Sequence, residues 1–332
     1  MKILYLSCHS ILEYDELKLF EELGYDYFSL GSYLIPENPV DSIRPALTHK
    51  VDQDLLAAAP LKDDLPRDFI NKFDVIVVMH VPEWIERNWH KMKHKRVIWR
   101  TIGQSTPALE KKMKVYRDGG LEIIRYSPRE ERIENYVGGD AMIRFYKDQD
   151  EFSDYTGAQK RVITFSQNIK QRAEYCCYDA VMRVLAPFAD DARIFGRDNE
   201  NLGKLFGGFL TYDEMRRAYR DNRVYFYGGT QPASYTLNFM EAFMTGIPVV
   251  ALGAKYANSL NIAGDTYEVP DFITNSVNGF CSDSIEELQA AIRFLLDNPK
   301  VAKKMGLAGR QKAIELFGKE KVKSLWKEYL EK

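Results

Sequence analysis

Residues 228–253 read GGTQPASYTLNFMEAFMTGIPVVALG. A Gly/Pro/Ser-rich loop leads into a helix beginning near Thr236, Gly246 stops it, and Pro248 opens an apolar strand. The helix is apolar nearly all round: Leu237, Phe239, Met240, Ala242, Phe243 and Met244 leave only Asn238, Glu241 and Thr245 polar, at i, i+3 and i+7. Burying an ionised carboxylate without a partner costs several kcal/mol, so Glu241 is expected to face water or a polar ligand. Free N–H groups at a helix start, reached through small residues, form an anion site suited to phosphate. A phosphate at residues 234–237 leaves Glu241 about one turn away, within reach of an attached ribose.

Working outward, the runs RVITF (161–165), ARIF (192–195), VYFY (224–227) and PVVAL (248–252) alternate with helical stretches. Continuous apolar strands alternating with helices imply a parallel sheet covered on both faces. Downstream, Ser284-Ile-Glu-Glu287 is a capping box, and Ile285, Leu288, Ile292 and Leu295 give the helix it starts one apolar face. Further helices are expected from Lys300 and from Lys319, with Gly318 between them. The first half repeats the scheme with KILYLS (2–7), a helix to Leu23, a strand over 25–30, DVIVVMH (74–80), RVIWR (96–100) and LEIIR (121–125). The charged stretch KDQDEFSDYTGAQK (147–160) lacks periodicity and is expected to be the interdomain linker.

The chain has 332 residues, the length of two α/β domains of roughly 150 residues each. With 45% hydrophobic and 28% charged residues, its composition is that of a soluble globular protein. A net charge of −2 gives no bulk attraction to nucleic acid. Cys8, Cys176, Cys177 and Cys281 lack zinc-ligand or CxxC spacing and read as reduced thiols. The apolar run before Ser7 is too short for a signal segment, and no run of eighteen apolar residues occurs, so a cytoplasmic location is expected.

The run EAFMTGIPVVA (241–251), preceded by its loop and helix, resembles the second half of the motif of retaining GT-B glycosyltransferases, the group 1 or family-four-like enzymes. The resemblance spans about the C-terminal half, including GFLTYDEM (208–215) after the strand end at 194–196, the Asn278-Gly-Phe280 stretch and the Met305-Gly306 turn. It implies an α/β fold of two doubly wound, Rossmann-like domains facing across a cleft. Residues 1–150 would form the acceptor domain and 160–317 the donor domain, with a last helix at about 318–332 packing back on the first. It further implies transfer of a sugar from a nucleotide-diphosphate sugar with retention, with no bound metal and no cofactor beyond that donor.

By the same resemblance, Glu241 binds the donor ribose, and Ser234 with the amides of Tyr235, Thr236 and Leu237 holds the diphosphate. Gly196, Arg197, Gly208, Phe209 and Leu210 would form the turns that receive the base. A leaving diphosphate gathers negative charge, so fixed cations are needed. The family's Arg/Lys pair, just after the first strand of the donor domain, corresponds to Lys170 and Arg172 at an expected helix start, at different spacing; solvated side chains are the plainer account, and the resemblance and position favour Arg172 as the functional cation. Where the family carries a further glutamate, eight positions before Glu241, this chain has Ala233. That departure raises the alternative of a nucleotide-sugar-binding protein without transferase activity. A nicotinamide-dependent oxidoreductase is disfavoured because Ser7-Cys-His-Ser-Ile11 contains no G-x-G-x-x-G.

In the first half, His80 and His9 stand at strand ends, where open α/β sheets bind ligands, His80 as a base or sugar contact and His9 on the acceptor side. A satisfied polar residue is the plainer account of each, and His80 ranks first because the buried strand 74–79 would aim it into the cleft. The stretch WIERNWHKMKHKRVIWR (84–100) interleaves basic residues with tryptophans, as a contact with an anionic surface requires, such as a membrane carrying a lipid-linked acceptor or a nucleic acid acceptor. A solvated helix face with core tryptophans is the competing account. The acceptor, whether carbohydrate, lipid-linked glycan or nucleic acid, is not legible.

Overall fold

The apolar runs become parallel strands in two separate sheets. A computed structural model describes residues 1–31, 52–60 and 64–332. The chain divides into a first unit, Met1–Tyr146 with Glu320–Lys332, and a second, Lys147–Lys319. In the first unit β1 (Lys2–Leu6), β2 (Asp26–Ser29), β3 (Val75–Met79), β4 (Arg96–Arg100), β5 (Glu122–Arg125) and β6 (Ala141–Met142) pair in the order β2-β1-β3-β4-β5-β6, all parallel. All five residues of β3 are buried, as its unbroken VIVVM requires of a strand covered on both faces.

In the second unit β7 (Gln159–Phe165), β8 (Ala192–Phe195), β9 (Phe206–Gly208), β10 (Asn222–Tyr227), β11 (Val249–Leu252) and β12 (Gly279–Ser282) lie in the order β12-β11-β10-β7-β8-β9, again all parallel. Each sheet reverses its winding once, between β1 and β3 and between β7 and β10. In open α/β sheets such a reversal sends the loops to opposite faces and makes the crevice at the strands' carboxyl ends where ligands bind.

The residues from Glu320 in the last helix, Lys319–Leu330, belong to the first unit: Trp326 is fully buried and meets Phe20 edge-on with ring centroids 5.1 Å apart. Among the described residues no helix is long and apolar enough to cross a membrane.

The boundary between the two units falls at the start of the polar stretch 147–160, and the first two residues of that stretch are folded into the second unit. Lys147 and Asp148 are 1% and 8% exposed, and the Lys147 amide donates to Phe317 O at 2.9 Å. Asp148 pairs with Lys319 at 3.1 Å, so these charges are met by partners in the second unit rather than by water.

The long helix Pro299–Phe317 packs on the helix Leu237–Thr245, and Gly306 of the first closely approaches Gly246, which caps the second. A Cβ on Gly306 would stand 1.9 Å from the carbonyl oxygen of Gly246, a backbone atom that cannot turn aside. Gly306→Ala is therefore expected to destabilise the second unit by about 1–3 kcal/mol, read as a lower urea midpoint at unchanged slope. An unchanged midpoint would show that the two helices separate freely.

Candidate functional site

The second unit gathers its features at the carboxyl ends of β7, β8 and β10. Helix Leu237–Thr245 starts from Thr236, whose backbone is extended (φ −121°, ψ 169°) and whose side chain does not cap it. The Thr236 hydroxyl instead donates to the Tyr227 hydroxyl at 3.1 Å, at the end of β10. No acidic side chain stands in the first turn, so no carboxylate of the helix itself competes for the positive end of its dipole. Asn238 donates from Nδ2 to the Phe165 carbonyl at 3.0 Å, tying that turn to the end of β7. Ser234 and Tyr235 are buried, the Tyr235 ring clustering with those of Phe272 and Phe317, and the Ser234 carbonyl accepts from the Glu268 amide at 3.0 Å. Thr236 and Leu237 are partly open.

Glu241 is 2% exposed, and its Oε1 lies 3.2 Å from Lys147 Nζ. The Tyr219 hydroxyl is 3.4 Å from Oε2, and Thr245 donates to the Glu241 carbonyl at 2.8 Å. Burial, reinforced by Tyr225 and by the Glu241 charge, pushes the Tyr219 hydroxyl well above the ordinary phenol range, so it stays a donor. The acid that an apolar helix cannot leave unanswered is thus met from within the unit. Sequence reasoning missed both partners: Lys147 was assigned to a linker, and Tyr219 sits in a helix read only for its turn. The available signal was the lone acid itself, which in so apolar a helix calls for a buried cation.

On the other side of β7, Gly196 donates its amide to the Gly208 carbonyl at 2.9 Å. Its φ is +143°, and a Cβ there would lie 2.2 Å from the Ser166 carbonyl oxygen, so only glycine lets the turns after β7 and β8 close on each other. Fully buried Asn199 laces them: its Nδ2 donates to Ser166 O at 2.6 Å and its Oδ1 accepts from the Ile169 amide at 3.1 Å. Nothing in the sequence marked Asn199. Arg197 stands 4.4 Å over the ring of Phe209, which is 45% exposed, and Leu210 follows partly buried. The structure therefore brings Gly196, Arg197, Gly208 and Phe209 together, a planar platform backed by a cation.

Lys170 and Arg172 are exposed, and among the described residues neither side chain makes a hydrogen bond or ion pair. They do not open a helix. Asn168 and Cys177 take positive φ (49° and 51°), the intervening chain forms turns, and the helix begins only at Tyr178.

In the first unit His80 follows β3 with φ 61°, a sparsely populated conformation held by two hydrogen bonds. Its amide donates to Arg100 O at 2.9 Å, and its carbonyl accepts from Trp99 Nε1 at 2.8 Å. Nδ1 is buried without a partner among the described residues. Burial lowers the imidazole pKa, against a smaller opposing pull from Glu83, which keeps the ring neutral near pH 7. His9 caps helix Ser10–Glu22, its Nδ1 accepting from the Leu12 amide at 3.5 Å.

The basic stretch at 84–100 is largely committed internally. Fully buried Arg100 pairs with Glu16 at 2.9 Å, Arg96 holds Glu122 and the carbonyls of Tyr329 and Leu330, and Lys91 pairs with Asp64. Trp99 lies in the core and Trp89 packs edge-on against Tyr116. Cations that alternate with strand residues point inward as often as outward, so the surface charge is smaller than the sequence suggests. No group of three or more potential metal ligands is gathered among the described residues.

Residues 178–317 match the family described as glycosyl transferase-like. No curated protein matches the chain in sequence. Among solved structures, HepE of Anabaena in complex with UDP and glucose superposes with a TM-score of 0.67 at 12% identity, covering 100% of this chain and 99% of that one. Sucrose-phosphate synthase of Thermosynechococcus elongatus gives 0.68 at 15% identity over 100% and 98%. A glycosyltransferase of Rickettsia africae gives 0.65 at 15% over 97% and 96%. The fold is GT-B. The family match lies within the GT-B unit formed by β7–β12 and takes in Gly196, Gly208 and Glu241, while Lys170 and Arg172 fall just before it.

Proposed function

We propose that the chain transfers a sugar from a nucleoside-diphosphate sugar to a carbohydrate, lipid-linked or nucleic acid acceptor, with retention and without a metal ion. One observation carries this: the side-chain-uncapped start of helix Leu237–Thr245 stands at the winding reversal of a GT-B sheet, with the Phe209–Arg197 platform two strands away. In this reading the helix start receives the diphosphate, the platform receives the base, and Lys170 and Arg172 neutralise the leaving group. Glu241, released from or sharing Lys147, receives the ribose, and His80 supplies a neutral imidazole to the sugar or acceptor. The family match and the neighbours solved with UDP, with UDP-glucose, and with UDP and glucose support a nucleotide-sugar donor.

As the glycosidic bond breaks, negative charge grows on the departing diphosphate, and preorganised donors and cations stabilise it most where water is excluded. Thermal unfolding with UDP-, GDP-, ADP- and dTDP-sugars tests donor binding. A donor at a hundred times its Kd adds about 2.7 kcal/mol to stability, a rise of several degrees. No shift with any of the four removes the proposal.

A second reading, nucleotide-sugar binding without transfer, is favoured by Ala233 and by the ion pair that already occupies Glu241. A donor that raises the melting temperature yet is neither transferred nor hydrolysed decides for it.

A further inference from the structure

The turn at 168–177 and helix Tyr178–Leu185 stand on one side, and residues 256–260 on the other, of a cavity of about 270 Å³. Tyr178 and Tyr256 line it, both partly buried and packed against the core of the second unit, so their rings are held in place. Glu174, Asp179 and Arg183 line it too, all exposed. Asp179 and Arg183 stand one helical turn apart in the order that ordinarily pairs. Even so, among the described residues no hydrogen bond or ion pair engages the side chain of either, or of Glu174. The Arg183 charge helps to lower the Glu286 carboxyl pKa, behind that carboxyl's own hydrogen bonds.

The frame behind the cavity is rigid. Gln231, 4% exposed, shares its two Nε2 hydrogens among the carbonyls of Glu174 and Tyr256 at 3.2 and 3.3 Å and Ser259 Oγ at 2.9 Å, and accepts from the Leu260 amide at 2.8 Å. One side chain thus fixes both walls.

The chemistry narrows the ligand. Two carboxylates and one guanidinium give the lining a net negative charge, which repels phosphates, nucleotides and anionic lipid. The volume falls just under the usual range of about 300–1,000 Å³ for small-molecule sites, so it suits one ring rather than a dinucleotide. Two fixed aromatic rings offer flat apolar faces, and planar carboxylate and guanidinium groups can each hold a pair of adjacent hydroxyls. We propose that this cavity binds a neutral pyranose unit of a saccharide chain, at a site distinct from the donor site and independent of whether the protein transfers sugar.

Calorimetric titration of the full chain with maltotetraose, cellotetraose and chitotetraose tests it. At least one of the three should bind saturably, with a Kd unchanged by saturating UDP. The double variant Asp179→Asn/Arg183→Ala and the single variant Tyr256→Ala should each weaken that binding tenfold or more. Because Asp179 and Arg183 are exposed, the double variant should melt with the wild type, so a loss there cannot come from unfolding. Failure of all three saccharides to bind overturns the proposal. So does unchanged affinity in the double variant, or competition by UDP, which would place the saccharide in the donor site.

Discussion

Arg172→Ala is expected to lower kcat/KM for sugar transfer by on the order of 10²-fold while leaving the melting temperature within about 1 °C of wild type. Both halves follow from its position. The side chain is exposed and makes no hydrogen bond or ion pair among the described residues, so its removal leaves no hole and no stranded partner. Its assigned work is to answer charge on a diphosphate that is anionic when bound and becomes more so as the bond breaks, so kcat should fall along with kcat/KM. Steady-state kinetics with the donor found by thermal shift, run beside a melting curve, checks it. Turnover equal to wild type would remove Arg172 from the site.

The largest structural effect is expected at Lys147. Lys147→Met takes away a cation 3.2 Å from a carboxylate that is 2% exposed, and breaking one side of a buried pair costs about 3–5 kcal/mol. For a unit of this size that is on the order of 10 °C in melting temperature. The double variant Lys147→Met/Glu241→Leu replaces both charges by apolar groups and should recover most of the loss, because the cost lies in the orphaned charge rather than in the missing bond. Urea unfolding of the single and double variants measures it; a Lys147→Met protein as stable as wild type would show that the pair contributes nothing. This also bears on how Glu241 is tested. Glu241→Ala takes a carboxylate away from buried Lys147 and confounds folding with activity, whereas Glu241→Gln keeps the shape and a hydrogen-bonding oxygen, so its donor affinity can be read against its melting curve.

The strands were legible because burial on two faces forces long apolar runs: VIVVM and VVAL could be little else. The helix Leu237–Thr245 was equally plain, since its polar residues are so few. What could not be read were the partners of those few. Lys147 lies far from Glu241 in sequence, in a stretch whose charges look solvated until tertiary contacts bury them. The same blindness, in reverse, made 84–100 look like a surface for anions: Arg96 and Arg100 bracket a buried strand, and only the folded chain shows Glu122 and Glu16 waiting for them. The helix start expected near Lys170 failed for a local reason, two left-handed residues that sequence does not announce at Asn168 or Cys177. Charges and caps are relations between distant or individually strained residues, while strands are properties of a run.

The first unit is assembled from both ends of the chain, with Trp326 from the closing segment seated against Phe20 near its beginning. On the ribosome, then, the first unit is begun before the second and completed only after it. Its apolar seat for Trp326 stays open while the whole of the second unit is made and folds, so a ribosome stalled before residue 320 holds a finished second unit tethered to an unfinished first one.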